Sequence, residues 1–63
     1  MRKISRIEVN MRFRIWCNYD KTIDLCYKKK VHKFAISKNG VLVTDWMSDL
    51  ETLLYIKTYK CDF

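Results

Sequence analysis

The chain lacks proline and has a single glycine, Gly40, among its 63 residues. Phosphate-cradling loops need several positions without a Cβ atom, so one glycine excludes every known pattern of this kind. The sequence also has no apolar run near the ~20 residues that a membrane-spanning helix requires. Its length excludes a TIM barrel, a doubly wound sheet and a pair of domains, because domains typically have about 100–150 residues. We therefore expect one small domain over residues 1–63.

The sequence has only three cysteines, Cys17, Cys26 and Cys61. An odd count is a poor disulfide framework, and free thiols are typical of a reducing cytoplasm. The charged residues Arg6 and Glu8 interrupt the N-terminal segment where a signal peptide would carry its apolar stretch. The sequence therefore predicts a cytoplasmic protein with no membrane partner.

The side chains that perform catalysis or bind metals do not fall into a recognisable pattern. Cys17, Cys26 and His32 match no zinc-binding spacing, and strand alternation sets the two cysteines on opposite faces of the predicted sheet. Cys26 and His32 are also on opposite faces, whereas a Cys–His nucleophile needs the two groups within hydrogen-bond reach. We expect a protein without enzymatic activity, cofactor or metal.

Alternation of apolar and polar residues over residues 7–19 predicts a long first β-strand. Every odd-numbered position in this segment is apolar, and all but one of the even-numbered positions are polar or charged. The alternation resumes at Ile23, Leu25 and Tyr27, which predicts a second strand after a loop of three residues within residues 18–22.

Asn39-Gly40 between two apolar segments predicts a two-residue hairpin loop, because a type I′ turn needs positive φ at both positions. A four-residue turn over residues 28–31 is expected to connect the second and third strands. These loops imply the following cross-strand pairs: Lys38 with Val41, Ile36 with Val43, Phe34 with Asp45, Tyr27 with His32, and Leu25 with Phe34.

The segment Ser48-Asp-Leu-Glu51 is a capping box and predicts a helix from about residue 49 to residue 58, with an apolar stripe of Leu50, Leu53 and Leu54. Consecutive strands usually pair with one another. The sequence therefore predicts an α+β fold, a four-stranded antiparallel β-meander with one C-terminal α-helix packed on one face.

A single helix covers one face of such a sheet, so the opposite face is the expected binding surface. Alternation places on it the candidate binding residues Arg12, Arg14, Trp16, Lys28, Lys33, Leu42 and Trp46, and Lys29 and Lys30 form a secondary basic turn beside it. Aromatic rings interleaved with cations suit single-stranded nucleic acid, because bases stack on the rings while the cations pair with phosphates. The same composition is typical of hot spots in protein interfaces, which makes a host protein or nucleoprotein complex a second possible partner.

The charge distribution agrees with a polyanionic partner. The formal net charge is +6, and residues 1–38 carry +8 whereas residues 39–63 carry −2. A basic surface of this kind attracts nucleic acid or an acidic protein.

The predicted strands and helix are similar in arrangement to the arm-binding domains of phage integrases. The short chain, rich in Lys, Ile, Asn and Tyr, resembles small phage proteins that inhibit host machinery, including anti-CRISPR proteins. The second resemblance implies an inhibitor of a host protein or defence complex, acting in the cytoplasm of the host cell. The main hypothesis is a small protein that binds nucleic acid, or a nucleic-acid-processing complex, through its basic, Trp-containing sheet face. The alternatives are this inhibitor and an obligate homodimer that uses the same face.

Overall fold

The computed structural model describes residues 3–62. Its elements follow the order α1 (Arg6–Trp16), β1 (Ile23–Lys28), β2 (Lys33–Lys38), β3 (Val41–Leu42) and α2 (Asp49–Thr58). The strands form one antiparallel sheet in the order β1-β2-β3. Both helices pack on the same face of this sheet, where Phe13 of α1 and Ile56 of α2 meet Ile23 and Ile36 in the core. The fold is of the α+β class, as predicted, but it has two helices and three strands in place of one helix and four strands.

The predicted first strand is wrong, because Arg6–Trp16 forms helix α1 and the sheet has three strands rather than four. Two residues along a helix turn by about 200°, so apolar residues at every second position lie on two opposite sides. One side faces the core at Val9, Phe13 and Cys17. The other side, which we term the outer stripe, is 59–76% exposed and consists of Ile7, Met11 and Ile15. An alternating sequence is therefore compatible with a helix that has two apolar stripes.

Local interactions favour the helix at this position. The Ser5 hydroxyl accepts a hydrogen bond from the Glu8 backbone N–H at 3.2 Å and caps the first turn. Glu8 also pairs with Arg12 one turn later, with 3.7 Å between the carboxylate and the guanidinium. Ser5 and Glu8 have the spacing of a capping box, which is the signal that also marks the start of α2.

The β1–β2 hairpin has the predicted faces but a different register. Tyr27 pairs with Phe34, and Leu25 pairs with Ile36, so the predicted pairs of Tyr27 with His32 and of Leu25 with Phe34 are wrong. The turn occupies residues 29–32 and ends at His32 in a left-handed conformation with φ of 51°. Because the register differs by two residues, every side chain stays on its predicted face of the sheet. The same residues therefore face the core in both registers.

The β2–β3 hairpin confirms the predicted turn at Asn39 and Gly40, whose φ angles are 52° and 81°, and Lys38 pairs with Val41. The pairing then departs from the prediction, because Phe34 pairs with Met47 instead of Asp45. The chain between Val41 and the partner of Phe34 is therefore two residues longer than predicted, and these residues fit near Thr44. The Thr44 hydroxyl accepts a hydrogen bond from the Ile36 backbone N–H at 2.9 Å. Regular strand β3 is therefore limited to Val41–Leu42.

Helix α2 begins at the predicted capping box, with Ser48 and Glu51 each accepting a hydrogen bond from the backbone N–H of the other. Its orientation differs from the prediction. The buried side presents Thr52, Tyr55 and Ile56, whereas Leu50 and Leu54 of the predicted stripe are exposed. This orientation allows Tyr55 and Ile56 to pack against α1. The predicted fold had no helix at that position.

Candidate nucleic-acid interface

The structure divides the predicted binding residues between two regions. Arg12, Arg14 and Trp16 belong to helix α1 and do not share a face with the other candidates. The remaining six lie on the sheet face opposite the helices, which we term the outer sheet face, or in the adjoining β1–β2 turn: Lys28, Lys29, Lys30, Lys33, Leu42 and Trp46. The prediction that Arg12, Arg14 and Trp16 lie on the sheet is wrong, because residues 7–16 are helical.

Trp16 has a structural role in this arrangement. Its indole Nε1–H donates a hydrogen bond to the Tyr59 carbonyl at 2.7 Å. Its ring lies 5.9 Å from the Phe13 ring and 6.1 Å from the Tyr55 ring, measured between centroids. Trp16 therefore joins the end of α1 to the end of α2.

The two arginines of α1 are held in ion pairs with different elements. Arg14 pairs with Asp24 at the start of β1, with 3.6 Å between the charged groups. Arg12 pairs with Glu8 on its own helix. Exposed pairs such as these contribute about 0–1 kcal/mol to stability. Arg12 therefore stays on its own helix, whereas Arg14 reaches Asp24, which lies on the same face of β1 as Lys28.

Lys28 and Trp46 meet on the outer sheet face. The Lys28 ammonium lies 4.4 Å from the centroid of the Trp46 ring, a cation–π contact that places an aromatic surface beside a cation. Lys28 is also directly opposite Lys33 in the β1–β2 ladder. Like charges in this position repel one another, and an anion bound between them would remove that repulsion.

Two further cations reach this end of the molecule from the N-terminal segment, and sequence analysis missed both. The His32 ring Nε2 lies 2.8 Å from the Ile4 carbonyl, which brings the segment before α1 against the β1–β2 turn. The neighbouring residue Lys3 is exposed there. The Arg6 guanidinium lies 4.8 Å from the centroid of the Tyr27 ring. We term the resulting cluster the cationic end; it consists of Lys3, Arg6, Lys28, Lys29, Lys30 and Lys33.

The acidic groups near the cationic end are occupied by backbone donors. The Asp49 carboxylate accepts hydrogen bonds from the Ile4 and Leu50 N–H groups at 2.7 and 2.8 Å, and the Ile4 bond is the largest cause of its lowered pKa. The backbone N–H of Ser48 is likewise the main cause of the lowered pKa of Glu51, to which Lys33 adds a smaller effect. Within residues 3–62, no carboxylate forms an ion pair with the six cations.

Both helices have their N-termini at this end of the molecule. Both α1 and α2 begin here, since Ser5 precedes α1 beside Ile4, and Asp49 of α2 bonds to Ile4. The N-terminus of a helix carries a partial positive charge from its aligned peptide dipoles. The first turns also carry Glu8, Asp49 and Glu51, which offset these dipoles, so the six basic side chains supply the positive charge of the cationic end.

The thiols and the titratable groups indicate no second site. Within the described part of the chain, no three His, Cys, Asp or Glu side chains are close enough together to hold a metal ion. Cys17 is in the core, whereas Cys26 lies on the outer sheet face with its Sγ atom 3.7 Å from the Ser37 hydroxyl. Cys61 packs against the core, and burial raises the pKa of its thiol. Neither of the helices in residues 3–62 has the length and apolar character needed to cross a bilayer.

Comparisons with protein-family models, with curated proteins and with solved structures find no match to this chain.

Proposed function

We propose that the protein is a non-enzymatic binder of single-stranded nucleic acid, with phosphates held at the cationic end and an unpaired base stacked against Trp46. The observation that carries this proposal is the convergence of six basic side chains from two separate segments of the chain on one end of the molecule. No carboxylate within residues 3–62 forms an ion pair with any of the six.

The contact between Lys28 and Trp46 favours a single strand over a duplex. A base stacks on an aromatic ring only when it is unpaired, whereas the phosphate next to it needs a cation nearby. Lys28 and Trp46 supply both groups within 4.4 Å, measured from the ammonium to the ring centroid. Leu42, which is partly exposed on the same face, extends the apolar surface beside them.

Salt dependence provides the first test of this function. Four to six phosphate contacts on a single strand weaken binding by roughly 50- to 300-fold between 50 and 200 mM salt. Fluorescence anisotropy with a labelled 15-nucleotide single strand measures this change, and a hairpin duplex of the same composition serves as the comparison. An affinity that is nearly constant over this salt range contradicts the proposal.

Matched charge reversals test whether the cationic end is the site. The variant Lys29→Glu with Lys30→Glu changes the exposed β1–β2 turn, whereas Lys21→Glu with Lys60→Glu changes the net charge equally at the other end. We expect the first variant to bind at least ten times more weakly than the wild type. It should also bind more than ten times more weakly than the second variant. Equal losses in both variants would show that only the net charge matters.

Replacement of Trp46 by alanine tests the stacking contact. Base–aromatic stacking contributes about 1–3 kcal/mol, so we expect the affinity for the single strand to fall by about five- to 150-fold. The affinity for the duplex should change much less. The same loss on both ligands would mean that Trp46 supports the fold and does not stack on a base.

A further inference from the structure

The outer surface of the two helices carries aliphatic side chains that the fold does not use. The outer stripe of α1 is one part of this surface, and the second part is on α2, where Leu50 and Leu54 are 48% and 63% exposed. Exposed apolar surface on a monomeric protein often marks a site that binds a partner. This surface lies on the helical side of the molecule and is separate from the outer sheet face.

A groove runs between α1 and α2 on this side and has a volume of about 450 Å³. Its apolar lining comes from both helices, with Ile15 and Trp16 from α1 and Leu53 and Ile56 from α2. The lining residues fall within residues 12–16 of α1 and 53–57 of α2, so the groove extends over about 6 Å of each helix, just over one turn. A partner helix presents about one turn over this distance, so that side chains at positions i, i+3 and i+4 are the anchors that fit.

The charged residues of the groove have one sign. Arg12 of α1 and Lys57 of α2 also line it, so that each helix contributes one cation. Arg12 is partly neutralised by Glu8 at 3.7 Å, and both groups of this pair remain accessible to solvent. A second copy of this chain would bring the same cations against each other, whereas acidic side chains would complement them.

We propose that this groove binds an amphipathic α-helix of another protein, with aliphatic side chains inserted between α1 and α2 and Asp or Glu side chains paired with Arg12 and Lys57. The apolar lining accounts for affinity, and the two cations account for the choice of an acidic helix over a basic one. The groove is independent of the cationic end, so this proposal does not rest on nucleic-acid binding.

Two synthetic helical peptides of about 16 residues test the proposal at 150 mM salt. Both carry the same stripe of leucines, and they differ only in having Glu or Lys at the flanking positions. We expect the Glu peptide to bind at least tenfold more tightly. In two-dimensional ¹H–¹⁵N NMR spectra, the indole signal of Trp16 should shift while that of Trp46 stays in place, because only Trp16 lines the groove.

Charge reversal sharpens the test. The variant Arg12→Glu with Lys57→Glu should reverse the preference, so that the Lys peptide binds more tightly. If this variant does not fold by circular dichroism, the neutral variant Arg12→Gln with Lys57→Gln should bind both peptides equally. The control variants Lys21→Glu with Lys60→Glu and Lys29→Glu with Lys30→Glu should keep the wild-type preference, which separates the groove from a general attraction of acidic peptides to a basic protein.

Several results overturn the proposal. They are failure of both peptides to bind, equal binding of both by the wild-type protein, and a shift of the Trp46 signal in place of Trp16. A stable dimer in light scattering that Ile15→Asp dissociates would also overturn it, because a second copy would then be the occupant.

Discussion

The two apolar stripes of helix α1 each consist of three apolar residues, yet only one of them belongs to the core. Val9 and Phe13 are fully buried beneath the sheet and α2, whereas Ile7 and Met11 are exposed to solvent on the opposite side. Hydrophobicity alone therefore does not decide which residues stabilise this protein. The buried stripe contributes to folding, and the exposed stripe is available for binding.

The largest expected effect separates the two stripes directly. Replacement of Phe13 by alanine should destabilise the protein by about 3–5 kcal/mol, because it leaves a cavity in the core. Replacement of Met11 by alanine should change the free energy of unfolding by less than about 0.5 kcal/mol. Urea unfolding followed by circular dichroism measures both values. Similar losses in the two variants would show that the outer stripe is buried in solution.

Removal of the Ser5 cap tests whether α1 is fixed locally. Ser5→Ala leaves the Glu8 N–H without its side-chain acceptor and should cost about 0.5–2 kcal/mol. Ser48→Ala, which removes the corresponding cap of α2, serves as the matched variant and should cost a similar amount. If only Ser48→Ala lowers the thermal midpoint, α1 does not begin at Arg6 in solution.

The Trp16 indole tests how the end of α1 is attached. Trp16→Phe keeps an aromatic ring beside Phe13 but removes the hydrogen bond to the Tyr59 carbonyl. We expect a loss of about 0.5–1.5 kcal/mol and faster hydrogen exchange in the last turn of α2. Unchanged exchange in that turn would contradict the role assigned to this hydrogen bond.

The smallest effect is a pH dependence at the other end of α1. The pKa of Asp49 is lowered from 3.8, chiefly by the Ile4 N–H, so the folded state favours the ionised carboxylate. The resulting stability is present above the ordinary pKa of 3.8 and is lost as the pH falls through the lower pKa of the folded protein. Asp49→Asn should therefore unfold less steeply between about pH 5 and pH 2 than the wild type. Parallel acid-unfolding curves would show that Asp49 is not held by Ile4.

In the C-terminal two-thirds of the chain, sequence patterns predicted the strands, the Asn39-Gly40 turn and the start of α2, but not the register of the β1–β2 hairpin or the buried side of α2. The Asn39-Gly40 turn and the Ser48 capping box were found because each depends on local backbone chemistry, positive φ in one case and orphan N–H groups in the other. The same capping signal at Ser5 and Glu8 was overlooked in favour of a strand pattern that covered more residues. Of the predicted binding residues, Lys28, Lys33 and Trp46 share a region of the molecule. Lys3 and Arg6 join this region only through the contacts of Ile4 and Tyr27, which no local pattern indicates.

The sequence by itself determined the turns, the helix caps, the excess of positive charge and the alternation of apolar residues, because these depend on neighbours along the chain. Only the tertiary structure decided how that alternation was used. Residues 7–17 satisfy both a strand and a helix with two stripes, and the choice depends on which stripe the sheet and α2 cover. The burial of one stripe, the groove beside the other and the meeting of Arg6 with Tyr27 all arise from contacts between residues distant in sequence.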